Sequence, residues 1–208
     1  NYFFTIFCLL VLVNGSNFID GLNGLASGYF ILICVSIILL KPINNIILQD
    51  LDSFYILLNI LIVFLFFNLF NKNYLGDNGI YFLSALIGYF LINFSNENND
   101  NISPIYIVSI LWYPAFENLF SIIRRRVSRN KVSNPDNLHL HTLIYLKIKQ
   151  RYNNIISNNL SSLLILAYMI PGLILSNYFH YQSFLLGLVI FFNILIYLTV
   201  YFYLKNEK

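Results

Sequence analysis

Seven stretches of almost unbroken apolar residues organise the chain, near 2–13, 25–40, 54–70, 80–94, 105–123, 160–177 and 183–204. Within them hydrophobic side chains fill every face and do not alternate with the two-residue period of a half-buried strand, so the pattern predicts helices that are apolar all round. A bilayer core asks for roughly 20 such residues per helix, and closed barrels would show inside/outside alternation. Some of the runs are short. Polar residues collect between the runs, at 14–24, 41–53, 71–79, 95–104 and 124–159. The stretch 41–53 fits either an interfacial turn of helix or a plain loop. The expected fold is all-α: a polytopic transmembrane helical protein with about seven spans, forming one membrane-embedded domain over 1–208.

Composition narrows this further. Of 208 residues, 58% are hydrophobic and only 10% are charged, against about a quarter charged in soluble domains, which excludes both a soluble globule and a disordered chain. Cys8 and Cys34 both lie in apolar runs, so neither a disulfide framework nor a cysteine-rich metal site is expected. The first residue is Asn1, without a basic flank. The apolar start is therefore not read as a signal peptide, and the chain is expected to be the C-terminal part of a longer protein.

Charge gives the orientation. If successive loops alternate between the two sides of the membrane, one side holds Lys72, Arg124, Arg125, Arg126, Arg129, Lys131, Lys147, Lys149, Arg151, Lys205 and Lys208, and the other holds only Lys41. Eleven against one places the first side in the cytoplasm by the positive-inside bias. The net charge of +3 thus reports topology, and nucleic acid is not an expected partner.

Three polar constellations share that basic side. In the first, Asn14, Asn17, Asp20 and Asn23 recur every three residues and would line one stripe of a helix, with Gly21, Gly24 and Gly28 allowing close approach of backbone or phosphate. An Asn- and Gly-rich turn between two packed spans is the plainer alternative. The second, Tyr74 to Gly79, holds Asp77 at a helix start. Asp77 could be a capping residue, the first choice when that motif is taken alone, or an oxygen ligand for a hard divalent cation. The third is the basic loop 124–159, where Arg124, Arg125 and Arg126 suit phosphate oxygens and are followed by Pro135-Asp136-Asn137-Leu138-His139-Leu140-His141. An attraction of these arginines to anionic lipid is the competing explanation. His139 and His141 lack the further ligands of a zinc site and fit donors to a diphosphate better. Carboxylates for a divalent cation, phosphate-binding cations and a membrane setting together point to phosphoryl transfer between a nucleotide and a lipid.

These residues resemble a known family, the polyprenyl-phosphate N-acetylhexosamine-1-phosphate transferases. Asn14 to Gly28 resembles the family's Asn-x-x-Asn-x-x-Asp-Gly-x-x-Gly-Leu signature, Tyr74 to Gly79 its Gly-Asp-x-Gly motif, and Pro135 to His141 its cytoplasmic His loop, while Asn68 stands close to an upstream family Asn. The resemblance implies transfer of N-acetylhexosamine 1-phosphate from a UDP-sugar to undecaprenyl phosphate, with release of UMP and with Mg²⁺ as cofactor. It implies Asp77 and Asp20 as catalytic and metal-holding residues. Asn17, Asn68, Arg124, Arg125, Arg126, His139 and His141 would bind substrate. The expected setting is the bacterial inner membrane with a cytoplasmic active face, and a homodimer is left open. The chain departs from the family pattern at Asn23, where many members have a second acid, and at Thr142, where the sugar-transferring branch often has a further His. An acidic pair that members carry on an earlier loop is absent and is expected to precede Asn1. A polytopic transporter and a non-catalytic membrane scaffold are the competing classes.

Overall fold

The computed structural model describes residues 2–44, 46–47, 49–127 and 138–206, and among these all regular structure is helical. Each apolar run becomes a helix. The first four are α1 (Tyr2–Ile19), α2 (Leu25–Asn44), α3 (Leu51–Leu69) and α4 (Gly76–Glu97). The run at 105–123 becomes two, α5 (Pro104–Ile110) and α6 (Trp112–Val127), set 71° apart. A short α7 (Leu140–Lys149) follows, then α8 (Asn154–Tyr178) and α9 (Ser183–Asn206). The protein is a polytopic helical membrane protein. Among the described residues four helices, α3, α4, α8 and α9, are long and apolar enough to span, and the bent pair α5 and α6 adds a fifth when counted as one span. The expected seven is not confirmed: over the described residues α1 and α2 contribute shorter apolar stretches, Thr5–Ile19 and Leu25–Leu40.

The break between α5 and α6 has a chemical cause. Pro114 carries no amide hydrogen, so the Ile110 carbonyl loses the partner that would have continued the helix across Leu111. The consequence is positional. α6 turns across the end of α1, and a Cβ at Gly15 would stand 2.2 Å from the Pro114 carbonyl oxygen, so only glycine permits this approach. α6 buries Trp112, Tyr113, Glu117, Asn118 and Ser121 and ends on Arg124, Arg125 and Arg126, cations that complement the negative end of its dipole.

Hydrogen bonds sort the loops into two groups at opposite ends of the helices. At one end Ile47 and Asn98 exchange backbone-to-side-chain bonds of 2.9 and 2.7 Å, and the Ser103 amide donates to the His180 carbonyl at 2.9 Å. At the other end the α1–α2 turn, the α3–α4 loop and the start of α8 are tied together. Gly24 N donates to Asn68 Oδ1 at 2.6 Å, Asn68 Nδ2 to the Asn73 carbonyl at 2.7 Å, and Asn159 Nδ2 to the Leu69 carbonyl at 3.0 Å. Gly24 has φ +76°, a left-handed conformation that a residue with a Cβ adopts only with strain. Of the segment 41–53, residues 41–44 end α2 and 51–53 begin α3, residues 46–47 and 49–50 are not helical, and residues 45 and 48 lie outside the described residues.

Candidate functional site

The site lies at the second end, where all three polar constellations meet. Asn14 to Ile19 are the last turns of α1, Asp20 to Gly24 the turn after it, and Asp77 stands in the first turn of α4. The capping alternative for Asp77 is not realised: the residue at the N-cap position is Leu75, with no side-chain cap bond. Instead Asp77 lines a cavity of about 380 Å³ together with Asn17, Asp20, Gly21 and Asn68. Burial pushes the Asp20 carboxyl up to about 7, and the negative charge of Asp77 adds to the shift. Two carboxylates thus line one space.

A second cavity, of about 510 Å³, shares Asn17, Gly21 and Leu22 with the first and carries the cations. Arg125, His139, His141 and Thr142 line it, with Asn158 from α8. The His rings are stacked, 5.3 Å between centroids and 10° between planes, and Phe18 stacks on His139 at 5.1 Å. The Arg125 guanidinium lies over Phe18 at 5.9 Å. His141 reaches the Asp-bearing turn, since a Cβ at Gly21 would stand 2.9 Å from its Nε2.

The three arginines are therefore not equivalent. Arg125 lines the cavity, Arg124 donates to the Leu138 carbonyl at 2.5 Å and packs over Phe120 and Tyr201, and Arg126 is exposed. Asn68 lines the carboxylate cavity while both ends of its amide hold backbone. Asn17 reaches Tyr81 Oη at 3.3 Å. Asn23 bonds Asn71 through its side chain, and its backbone amide and carbonyl bond Asn158 and Ser162 at 2.7 Å each. Pro135 and Asp136, with Arg129 and Lys131, lie outside the described residues.

Sequence reasoning passed over one site residue. Glu117, an acid in an apolar helix, is fully buried, and its Oε1 accepts from His139 Nδ1 at 2.7 Å while its Oε2 accepts from Tyr197 Oη at 2.6 Å. The available signal was an ionisable residue at membrane depth, which by default marks a partner or a cavity.

The family model for glycosyl transferase family 4 matches residues 1–95, the stretch that carries both Asp20 and Asp77. Two curated relatives extend the likeness: the Probable undecaprenyl-phosphate N-acetylglucosaminyl 1-phosphate transferase of Bacillus subtilis (strain 168), 30% identical over 146 residues, covers 67% of this chain. The chain belongs to glycosyl transferase family 4. The second relative of this family 4 chain is the Decaprenyl-phosphate N-acetylglucosaminephosphotransferase of Mycolicibacterium smegmatis, 29% identical over 162 residues and 66% of the chain. The chain spans 39% and 38% of the lengths of these two relatives. No solved structure matches it.

Proposed function

We propose that this family 4 chain forms the larger part of the active site of an enzyme that transfers N-acetylhexosamine 1-phosphate from a UDP-sugar to a polyprenyl phosphate. The observation that carries the reading is the pair of adjoining cavities at one end of a membrane-embedded helical bundle, one lined by carboxylates and the other by Arg125, His139 and His141. The names of both relatives support it, one an undecaprenyl-phosphate N-acetylglucosaminyl 1-phosphate transferase and the other a decaprenyl-phosphate N-acetylglucosaminephosphotransferase. Bringing a nucleotide diphosphate against a lipid phosphate crowds negative charge, so catalysis rests on positioning and on neutralising that charge.

Mg²⁺ fits the first cavity by donor chemistry. Asp20 and Asp77 are hard oxygen donors that repel each other, and Mg²⁺ is ordinarily held by one or two carboxylates with substrate phosphates and water completing its shell. Bound there, it would supply positive charge to the diphosphate oxygens. In the second cavity Arg125 and the His pair bind and orient the donor's phosphates, and Phe18 braces the Arg125 and His139 side chains. The basic end of the bundle, facing a bacterial cytoplasm, would meet the soluble nucleotide sugar directly.

The test is UMP release from UDP-N-acetylglucosamine by the intact protein in membranes containing undecaprenyl phosphate. Release should require Mg²⁺, and Asp77→Asn should lower it about a hundredfold or more while the protein still inserts. Sugar flux into vesicles without UMP release would replace this reading with a transporter.

A further inference from the structure

An ionised carboxylate in a protein interior is costly unless each oxygen finds a donor. Glu117 is fully buried on α6, two helical turns before Arg124 and so about 10 Å inside the end of the helix that carries the arginines. Its two oxygens are divided between two donors, His139 from the start of α7 and Tyr197 from α9, so that one residue joins three helices. A carboxylate can only accept, so the proton in its 2.7 Å contact with His139 resides on Nδ1. His139 itself lines the cation-bearing cavity, and it is clamped on its ring faces by Phe18 and His141.

We infer that Glu117 is a positioning residue whose buried carboxylate fixes the ring plane and the Nδ1–H tautomer of His139, so that Nε2 is the nitrogen His139 turns toward a phosphate in the cavity. Tyr197 Oη holds the other oxygen and prevents the carboxylate from rotating away from the ring. The ring cannot tilt without breaking the Nδ1 bond or leaving the stack. This logic is general: a His that works through one nitrogen has its orientation and tautomer set by what its other nitrogen bonds. The inference rests on the transferase reading for the phosphate's identity, while the Glu117 to His139 geometry stands apart from it.

Two measurements separate those layers. The first is a double-mutant cycle on kcat/KM for the UDP-sugar, using Glu117→Gln, His139→Ala and the pair in the intact membrane protein. Glu117→Gln should cost about tenfold or more in the wild-type background and less than about twofold once His139 is Ala, because a residue that acts through His139 has nothing left to position. Independent, multiplying losses would overturn the proposal, since they are what a merely structural role produces. The second is the imidazole nitrogen NMR spectrum of His-labelled protein, assigned to His139 by its loss in His139→Ala. A single Nδ1–H species in the wild type that becomes a tautomer mixture in Glu117→Leu is expected. An unchanged His139 spectrum in that variant would also overturn it. The spectrum reads the contact whether or not sugar phosphate is transferred, so an inactive protein with the expected spectra would retire the transferase reading and leave the positioning role standing.

Discussion

At the scale of single residues the site divides neighbours of identical chemistry by where the backbone puts them. Arg125 and Arg126 are consecutive on α6, yet Arg125 lines the cavity over Phe18 and Arg126 is exposed. A charge-assisted bond to phosphate contributes about 1.5–3 kcal/mol, so Arg125→Ala should raise KM for the UDP-sugar by tenfold or more, whereas Arg126→Ala should change it little. Equal effects from the two, measured in one steady-state assay, would undo this assignment. Asp20 gives a pH prediction. Its carboxyl keeps its proton in the fold up to about 7, well above the usual value of 3.8, because of burial and Asp77. The folded protein therefore binds more protons than the unfolded chain between those limits. The contribution of Asp20 to stability falls as pH rises from about 4 through about 7 and stays at its least favourable above. Without divalent cations the protein should melt at a higher temperature at pH 5 than at pH 8, and Asp20→Asn should flatten that slope. Mg²⁺ should restore stability at pH 8 in the wild type only. A slope identical in Asp20→Asn would show that other groups set the pH dependence.

At the scale of elements, what matters most is how α6 is held, because it presents Glu117 and Arg125 to the site. Gly15 on α1 permits that crossing by lacking a Cβ where the Pro114 carbonyl stands 2.2 Å away. Gly15→Ala must push α1 and α6 apart and should cost roughly 1–3 kcal/mol by overpacking, with a loss of activity larger than the loss of folded protein. Gly187 on α9 is the control, since a Cβ there meets nothing within 4 Å. Gly187→Ala should be neutral or stabilising by up to about 1 kcal/mol through helix propensity, and thermal unfolding in detergent compares the pair. The same helix marks the edge of what was legible beforehand. Runs of apolar residues announce helices reliably, and every run became helical, but a hydropathy run has no direction. Residues 105–123 read as one span, and the 71° turn at Leu111 became visible only in three dimensions. α7 went unread because ten residues inside a basic loop carry too little apolar signal. The motif residues Asp20, Asp77, His139 and His141 stood out because Asp and His are scarce here. Glu117 did not, because its meaning depends on His139, 22 positions away, and on Tyr197, 80 positions away.

At the scale of the whole molecule, charge and geometry were independent routes to the same division. The Lys/Arg count used only sequence order, and the hydrogen bonds use only proximity, yet both separate the loops into the same two sets. The end holding the cavities carries Lys72, the α6 arginines, Lys147, Lys149, Arg151 and Lys205, while Asp50, Asp52, Glu97 and Asp100 lie toward the opposite end, where Asn98 bonds Ile47 and Gln49 N bonds the Glu97 carboxylate at 3.3 Å. Such an asymmetry orients a helical membrane protein with its basic end in the cytoplasm. A soluble nucleotide sugar would then reach Arg125 and His139 without crossing the bilayer. Single cysteines at Asp100 and Arg151, both exposed positions, test the orientation after Cys8 and Cys34 are replaced. An impermeant thiol reagent applied to intact bacterial cells should label Asp100→Cys at once and Arg151→Cys only after the membrane is permeabilised. The substitutions lie at the two ends of the bundle, so failure of the protein to insert would show as labelling of both or neither, whereas a true inversion would label Arg151→Cys alone. Inversion would put the carboxylates and the His pair on the side where acidic loops are now expected. It would sever the site from a cytosolic donor, and the transferase reading could not survive it in this form.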